Sequence, residues 1–319
     1  MELRGLGNSG LFVSRLGLGT MSWGRDTDIH EARDQFNLYY EAGGRFVDTA
    51  DIYSDGGSEE ILGEFLRDKP DVIVSTKAGS VRSARRRNAS RGHLISALDS
   101  SLKRLRRNHI DIWHVNAWDP YTPIEETLSA LDFAVSTGRV RYVGVSNYSG
   151  WQLATASTTQ SDRPARIIST QMEYSLIERG VEREVVPAAT AHGVGLLAWS
   201  PLGRGVLTGK YRHATPPDSR AASAHLASFV TPYLHERPRA IVDAVCMAAE
   251  GLGLSPIDVS LAWLTARPTV ASAIVGARTA SQMRAIVAGM DASLPDEIHT
   301  ALDEVSAPLR GYPEFGWNQ

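Results

Sequence analysis

Short apolar runs alternate with stretches of helical period along most of this chain, and that alternation leaves few architectures open. Repeated strand-then-helix units build a parallel sheet whose faces are covered by helices. The apolar runs fall at Leu16–Gly19, Arg45–Asp48, Val72–Thr76, Ile110–Asn116, Val140–Val145, Ile167–Gln171, Val194–Trp199 and Ser272–Val275. Eight such runs suffice to close a cylinder. The helical pattern is clearest at His30–Ala42, His93–Leu105, Ile124–Ser136 and Pro256–Ala266, with Pro123 and Pro256 near helix starts, where a missing N–H matters least. The expected fold is α/β: a (β/α)8 TIM barrel, which a chain of 319 residues with 43% hydrophobic content fills as one domain over 1–319.

Three features depart from the repeat. Asn8-Ser9-Gly10 reads as a tight turn between two short strands, an N-terminal β-hairpin capping the bottom of the barrel. Ala78 to Gly92 carries Arg82, Arg85, Arg86, Arg87 and Arg91, while Tyr211 to Pro238 is long and poorly periodic. Both are expected to be functional loops at the C-terminal face, the second a lid, and the tail from Ser306 brings Tyr312, Phe315 and Trp317 toward the same face.

Composition narrows the class of function. Lys plus Arg total 33 against 36 Asp plus Glu, a net charge of -3, so no basic field argues for a nucleic-acid partner. No apolar run is long enough for a membrane span, and the N-terminus lacks a charged-then-apolar leader pattern. The single cysteine, Cys246, excludes an internal disulfide framework and suits a reducing cytoplasm, the expected location. No metal ligands are assigned, and the oligomeric state is left open.

The chemistry sits where strand-like runs give way to polar, glycine-rich sequence, the junctions where barrel enzymes hold their sites. Asp48 and Tyr53 lie in FVDTADIYSDGGSEEILGEFL, and Lys77 in VIVSTKAG. A phenol is a weak proton donor while its pKa stays near ~10. An adjacent ammonium favours the phenolate, and a carboxylate anchors the ammonium, so Tyr, Lys and Asp together make an acid-catalytic unit for reducing an aldehyde or ketone.

These residues, together with GLGTM, DTADIYSDGGSEEILG, STKAG, GVSN, AWSPLGRGVLTGKY and IVGARTASQ in that order, make the chain resemble the aldo-keto reductases from Met1 to roughly Met290. The resemblance implies NADP(H)-dependent reduction of a small-molecule carbonyl substrate, with Tyr53 as general acid. It also implies a cofactor site made of Gly19, Thr20, Met21 and Asp48, then Ser146, Asn147 and Gln171 around the carboxamide, with Trp199 stacked on the nicotinamide. Ser200, Pro201, Leu202, Gly203, Gly205 and Lys210 match the pyrophosphate stretch, and Gly276, Arg278 and Gln282 the adenosine end, where Arg278 favours a 2'-phosphate.

Two positions depart from the family pattern. Ala285 and Ile286 stand where an acidic or amide pair is common, and Asn116 where the fourth catalytic residue is usually histidine. Asn116 can donate an amide N–H to a carbonyl oxygen but cannot exchange a proton near neutral pH. The same replacement occurs in potassium-channel β subunits, so a slow, NADP-binding regulatory or redox-sensing protein is the alternative. A keto-reductase of a nucleotide-linked deoxysugar, held by the arginine loop, is another. His114 shares a strand face with Asn116 but lies one repeat deeper, and is expected to be a hydrogen-bonded interior histidine. Trp23 and Trp118 are candidates for the substrate pocket.

Overall fold

A computed structural model describes residues 1–81, 87–160, 162–217, 219–223, 225–309 and 311. It opens with two short strands, β1 (Leu3–Gly5) and β2 (Phe12–Ser14), paired antiparallel with Leu3 opposite Ser14. The barrel follows. Its strands are β3 (Leu16–Gly19), β4 (Phe46–Asp48), β5 (Ile73–Ala78), β6 (Ile110–Val115), β7 (Val140–Ser146), β8 (Ile167–Glu173), β9 (Gly195–Trp199) and β10 (Val270–Val275). Each pairs in parallel with its predecessor, and β10 closes the cylinder onto β3.

The helices between and after these strands are α1 (Ile29–Glu41), α2 (Gly57–Phe65), α3 (Arg91–Leu105), α4 (Ile124–Ser136), α5 (Gly150–Thr159), α6 (Val181–Ala191), α7 (Ala227–Val230), α8 (Glu236–Leu252), α9 (Pro256–Thr265), α10 (Ala280–Ala288) and α11 (Asp296–Ser306). Their starts follow local chemistry. Asp28 caps α1 by accepting from the N–H groups of His30 and Glu31, at 2.8 and 3.0 Å. Ser255 and Asp258 form a reciprocal capping box on α9, with Pro256 as its first residue. No single helix among the described residues is long and apolar enough to cross a membrane.

Strand alternation sorts the buried side chains into two regions. One set, including Leu18, Val47, Val74, Trp113, Val143 and Leu196, packs outward against the helices. The other fills the lower barrel: Phe46, Ile112, Ile168, Leu197 and Ala271, closed by Leu6 and Val13. Leu6 belongs to the turn of the hairpin, so the hairpin is a plug, as its position before the first barrel strand suggested. Gly7 lets it seat. Its φ is +55°, and a Cβ there would lie 2.4 Å from the Ile168 carbonyl oxygen and 2.6 Å from that of Gly193. Asn8 N–H then donates to Gly193 O at 2.7 Å, fastening the turn to the lower end of β9.

The long stretch after β9 is more ordered than its sequence suggests: it contains α7, several 3-10 turns and, from Glu236, the start of α8. Arg204 organises it. Its guanidinium pairs with both oxygens of Glu173 at 2.7 and 2.5 Å, donates to Phe229 O at 2.6 Å, and lies over the Phe229 and Tyr233 rings at 4.0 and 4.8 Å. His225 Nε2 sits 2.9 Å from Asp26 Oδ1, joining this stretch to the loop between β3 and α1.

Replacing Leu6, which is fully buried in the plug, with alanine removes packing from the barrel floor. The expected cost is about 2–5 kcal/mol, read as a lower unfolding midpoint in urea or heat, and an unchanged midpoint would show that the hairpin does not support the barrel.

Candidate active site

The upper barrel interior is polar, and β4, β5, β6 and β8 supply it. Asp48 and Lys77 are almost wholly buried, and their Oδ2 and Nζ atoms meet at 2.6 Å. Both ions have further partners. Lys77 Nζ donates to Thr49 O at 2.7 Å, and Asp48 Oδ1 accepts from Ser75 Oγ at 2.9 Å and Gln171 Nε2 at 2.8 Å. Burial pulls the Lys77 ammonium down, but Asp48 and Tyr53 together more than offset it and hold Lys77 above the usual lysine range.

Tyr53 comes from the turn after β4, where Ser54, Asp55 and Gly56 have φ values of 50°, 56° and 93° before α2 begins. The ring lies 5.4 Å from Lys77 Nζ, which places the phenol in the field of that ammonium. The net effect on the phenol differs from the sequence expectation. Burial raises the Tyr53 pKa above its ordinary value, with Lys77 pulling it back only in part. The phenol therefore remains protonated through the neutral range, the state a proton donor requires.

His114 lies below this layer, fully buried between two hydroxyls: Nδ1 is 3.2 Å from Ser75 Oγ and Nε2 is 2.9 Å from Ser169 Oγ. Gly144 makes room for it, since a Cβ there would come within 2.6 Å of the imidazole. Burial, reinforced by Lys77, drives its pKa down to about 3, so the ring is neutral. It does not line the cavity.

Asn116 follows β6 at the mouth. Its Nδ2 donates to Ser80 Oγ at 2.9 Å, which leaves one N–H of the amide to offer. Asn147, with φ of 56°, extends the amide layer: its Nδ2 donates to Asn116 O and Ser146 Oγ, and its Oδ1 accepts from Trp199 Nε1 at 3.2 Å. Ser146 Oγ in turn donates to Gln171 O at 2.8 Å. Trp199 lies nearly parallel to Phe229, at 6.5 Å and 14°.

One cavity of about 530 Å³ gathers Asp48, Tyr53, Lys77 and Asn116 at a single end. Gly19, Thr20 and Met21 line it from the β3 end, and Ser146, Asn147, Gln171 and Trp199 from β7 to β9. Ser200, Pro201, Leu202, Gly205 and Lys210 form one wall, and Gly276, Arg278 and Gln282 carry it to the start of α10. Ala285 and Ile286 line that far end, so two apolar side chains do stand there.

Gly203 is the exception among the expected cofactor residues. It is buried outside the cavity, and a Cβ there would strike Ile177 Cδ1 at 2.3 Å, so its role is packing. The turn also differs in its donors: the N–H groups of Gly203 and Gly205 are spent on Ser200 O and Leu202 O. Anion-binding capacity therefore lies with the Lys210 and Arg278 side chains rather than with those two amides.

Sequence reading missed Arg204 and Phe229, which also line the cavity; an arginine inside SPLGRG carried no signal of the Glu173 that fixes it. Trp23 is corrected. It is fully buried, edge-on to Phe65 at 5.7 Å, with Nε1 bonded to Gln35, and takes no part in the mouth. Trp118 is at the mouth, edge-on to Tyr148 and Trp151 at 5.3 and 5.2 Å, but it does not line the cavity. Arg82, Arg85 and Arg86 of the arginine loop, and Tyr312, Phe315 and Trp317 of the tail, lie outside the described residues. Arg91 serves packing, donating to Ser129 O at 2.6 Å over the Phe133 ring.

The sequence pattern of the Aldo/keto reductase family matches residues 15–307. The chain is 32% identical to a probable voltage-gated potassium channel subunit beta of Arabidopsis thaliana, over 98% of both chains. It is 34% identical to an uncharacterized oxidoreductase of Bacillus subtilis, over 96% of both. With versiconal hemiacetal acetate reductase of Aspergillus parasiticus it shares 32% identity, over 98% of this chain and 99% of the relative. The chain belongs to the aldo/keto reductase family, a family of oxidoreductases.

His114 generates a test of this geometry. Its folded pKa of about 3 lies below the ordinary histidine value of ~6.5, so below that pH the unfolded chain takes up a proton the folded chain refuses. Stability should fall by about 1.4 kcal/mol for each pH unit below that value until the folded pKa is reached. His114→Gln should flatten this limb in urea unfolding between neutral and mildly acidic pH, and parallel limbs would mean the imidazole is not neutral.

Proposed function

We propose that this chain is an NADPH-dependent carbonyl reductase, in which Tyr53 protonates the oxygen of an aldehyde or ketone. One observation carries the reading: the Tyr53 phenol stands beside a hydrogen-bonded ammonium–carboxylate pair in a cavity that also holds Arg278. The donor set suits a nicotinamide dinucleotide. Gln171 Nε2 is committed to Asp48, and its Oε1, which has no partner among the described residues, is available to a carboxamide N–H. The Arg278 guanidinium has no hydrogen-bond partner among the described residues and matches a 2'-phosphate.

When bound, the dinucleotide supplies hydride. The protein's own work is the proton and the orientation. Asn116 offers its remaining N–H to the carbonyl oxygen, which fixes the substrate beside Tyr53. Tyr53 gives up its proton as negative charge builds on that oxygen, and the Lys77 ammonium stabilises the phenolate left behind. Asp48 keeps the ammonium in place and charged. Because burial holds Tyr53 protonated, the acid is expected to stay in its donating form at neutral pH and to be lost as pH rises into the alkaline range. The free cysteine, Cys246, suits a cytoplasmic setting.

A second reading has its own support. Asn116 cannot shuttle a proton as histidine does, and two relatives carry the name of channel β subunits. A slow reductase that reports its cofactor state to a partner fits both facts.

Single-turnover oxidation of bound NADPH by a reactive aldehyde separates the two. Tyr53→Phe should lower the rate by roughly 10²–10⁴-fold with cofactor affinity retained, while undiminished turnover would remove Tyr53 as the acid. Asn116→His should raise the rate, and no change would mean that the amide is not what limits it. Arg278→Ala should weaken NADPH binding about tenfold while leaving NADH unaffected, measured by quenching of tryptophan fluorescence; equal losses would assign Arg278 another role.

A further inference from the structure

Behind the Tyr53–Lys77–Asp48 chain lies a second set of buried charges that the reduction as proposed does not use. Glu59, on the first turn of α2, is fully buried, with both oxygens engaged. Oε1 accepts from Thr76 Oγ1 at 2.5 Å, and Oε2 accepts from Arg104, whose Nε and Nη2 lie 2.7 and 2.6 Å away. Arg104 reaches this carboxylate from α3 by passing beside Gly56, where a Cβ would meet its Cδ at 2.8 Å.

Asp51 shares this environment without sharing its partners. Its backbone N–H donates to Lys77 O at 3.1 Å, so it is tied to the strand that carries the ammonium, two residues before Tyr53. Its Oδ1 is buried and accepts no hydrogen bond from any described residue. One guanidinium faces two carboxylates, and Glu59 takes it. Burial first, then the Glu59 charge, push the Asp51 carboxyl up to about 7, against the pull of Arg104 and Lys77. Asp51 thus changes charge in the neutral range, within the field felt by Tyr53.

We infer that Asp51 is a positioning residue for the proton, its charge governing how readily Tyr53 releases that proton at neutral pH. The inference rests on Tyr53 being the acid. The sign follows from Coulomb's law. An ionised Asp51 opposes a phenolate nearby and holds the proton on Tyr53; a protonated Asp51 lifts that opposition. The groups facing Asp51 are Glu59 from α2, Arg104 from α3, Lys77 from β5 and the phenol itself. Of these charged neighbours, Glu59, Arg104 and Lys77 are held in hydrogen bonds, whereas Asp51 Oδ1 has no partner among the described residues.

The test is the pH profile of single-turnover reduction by the NADPH-loaded protein. In the wild type the rate should rise about threefold as pH falls from 8 to 6, as the negative charge beside the phenol is removed. Asp51→Asn has the shape of the protonated acid, so it should hold the low-pH rate throughout and show no step, and Asp51→Glu should restore one. The phenolate absorbance that disappears in Tyr53→Phe should titrate at lower pH in Asp51→Asn than in the wild type. Superimposed profiles and unshifted phenolate titrations would overturn the inference about Asp51 while leaving the acid role of Tyr53 intact. Full turnover in Tyr53→Phe would instead overturn both, which keeps the two failures apart.

Discussion

The Asp48–Lys77 ion pair is the constraint that the rest of this barrel answers to. Two opposite charges almost wholly removed from water are tolerated only when each is paired and its remaining hydrogen-bonding capacity is met, because desolvation costs several kcal/mol per ion. Three different parts of the chain provide that satisfaction. Ser75 comes from β5, Gln171 from the far side of the barrel on β8, and the Thr49 carbonyl from the chain leaving β4. Removing one ion would strand the other, so the pair fixes the register of strands that are distant in sequence.

That pair also explains the layering of the interior. The Lys77 ammonium lies near His114, and its charge adds to burial in keeping the imidazole neutral. Ser75 touches both Asp48 Oδ1 and His114 Nδ1, so it couples the charged layer to the neutral one beneath. Below them lies an apolar cluster closed by Leu6 from the hairpin. Polarity therefore rises toward the mouth, where the substrate would meet Tyr53 and Asn116.

Much of this was legible in the sequence because it depends on short-range pattern. The eight barrel strands lie where apolar runs placed them, with ends shifted by a few residues: β5 runs on to Ala78, past the expected Thr76, and β10 begins at Val270, two residues before Ser272. The Asn8-Ser9-Gly10 turn and the helix start at Pro256 were readable from the residues that such positions favour. Positions around the cavity were readable through resemblance rather than physics, and sixteen of the expected cofactor residues reached it while Gly203 did not. What stayed hidden depends on partners far away in the chain. Nothing near Arg204 points to Glu173, and nothing near His225 points to Asp26. The direction of the Tyr53 pKa was missed for the same reason. Proximity to Lys77 was inferable, but the burial that outweighs it is a property of the assembled barrel.

The closed floor has a consequence for the medium around the reacting groups. With Leu6 and its neighbours sealing one end, solvent can approach the Asp48–Lys77 pair only from the mouth. Whatever fills the mouth then sets the local dielectric, and with it the strength of every charge interaction within. Ligand binding is in that sense a change of solvent, made at the end of the barrel that the hairpin leaves open.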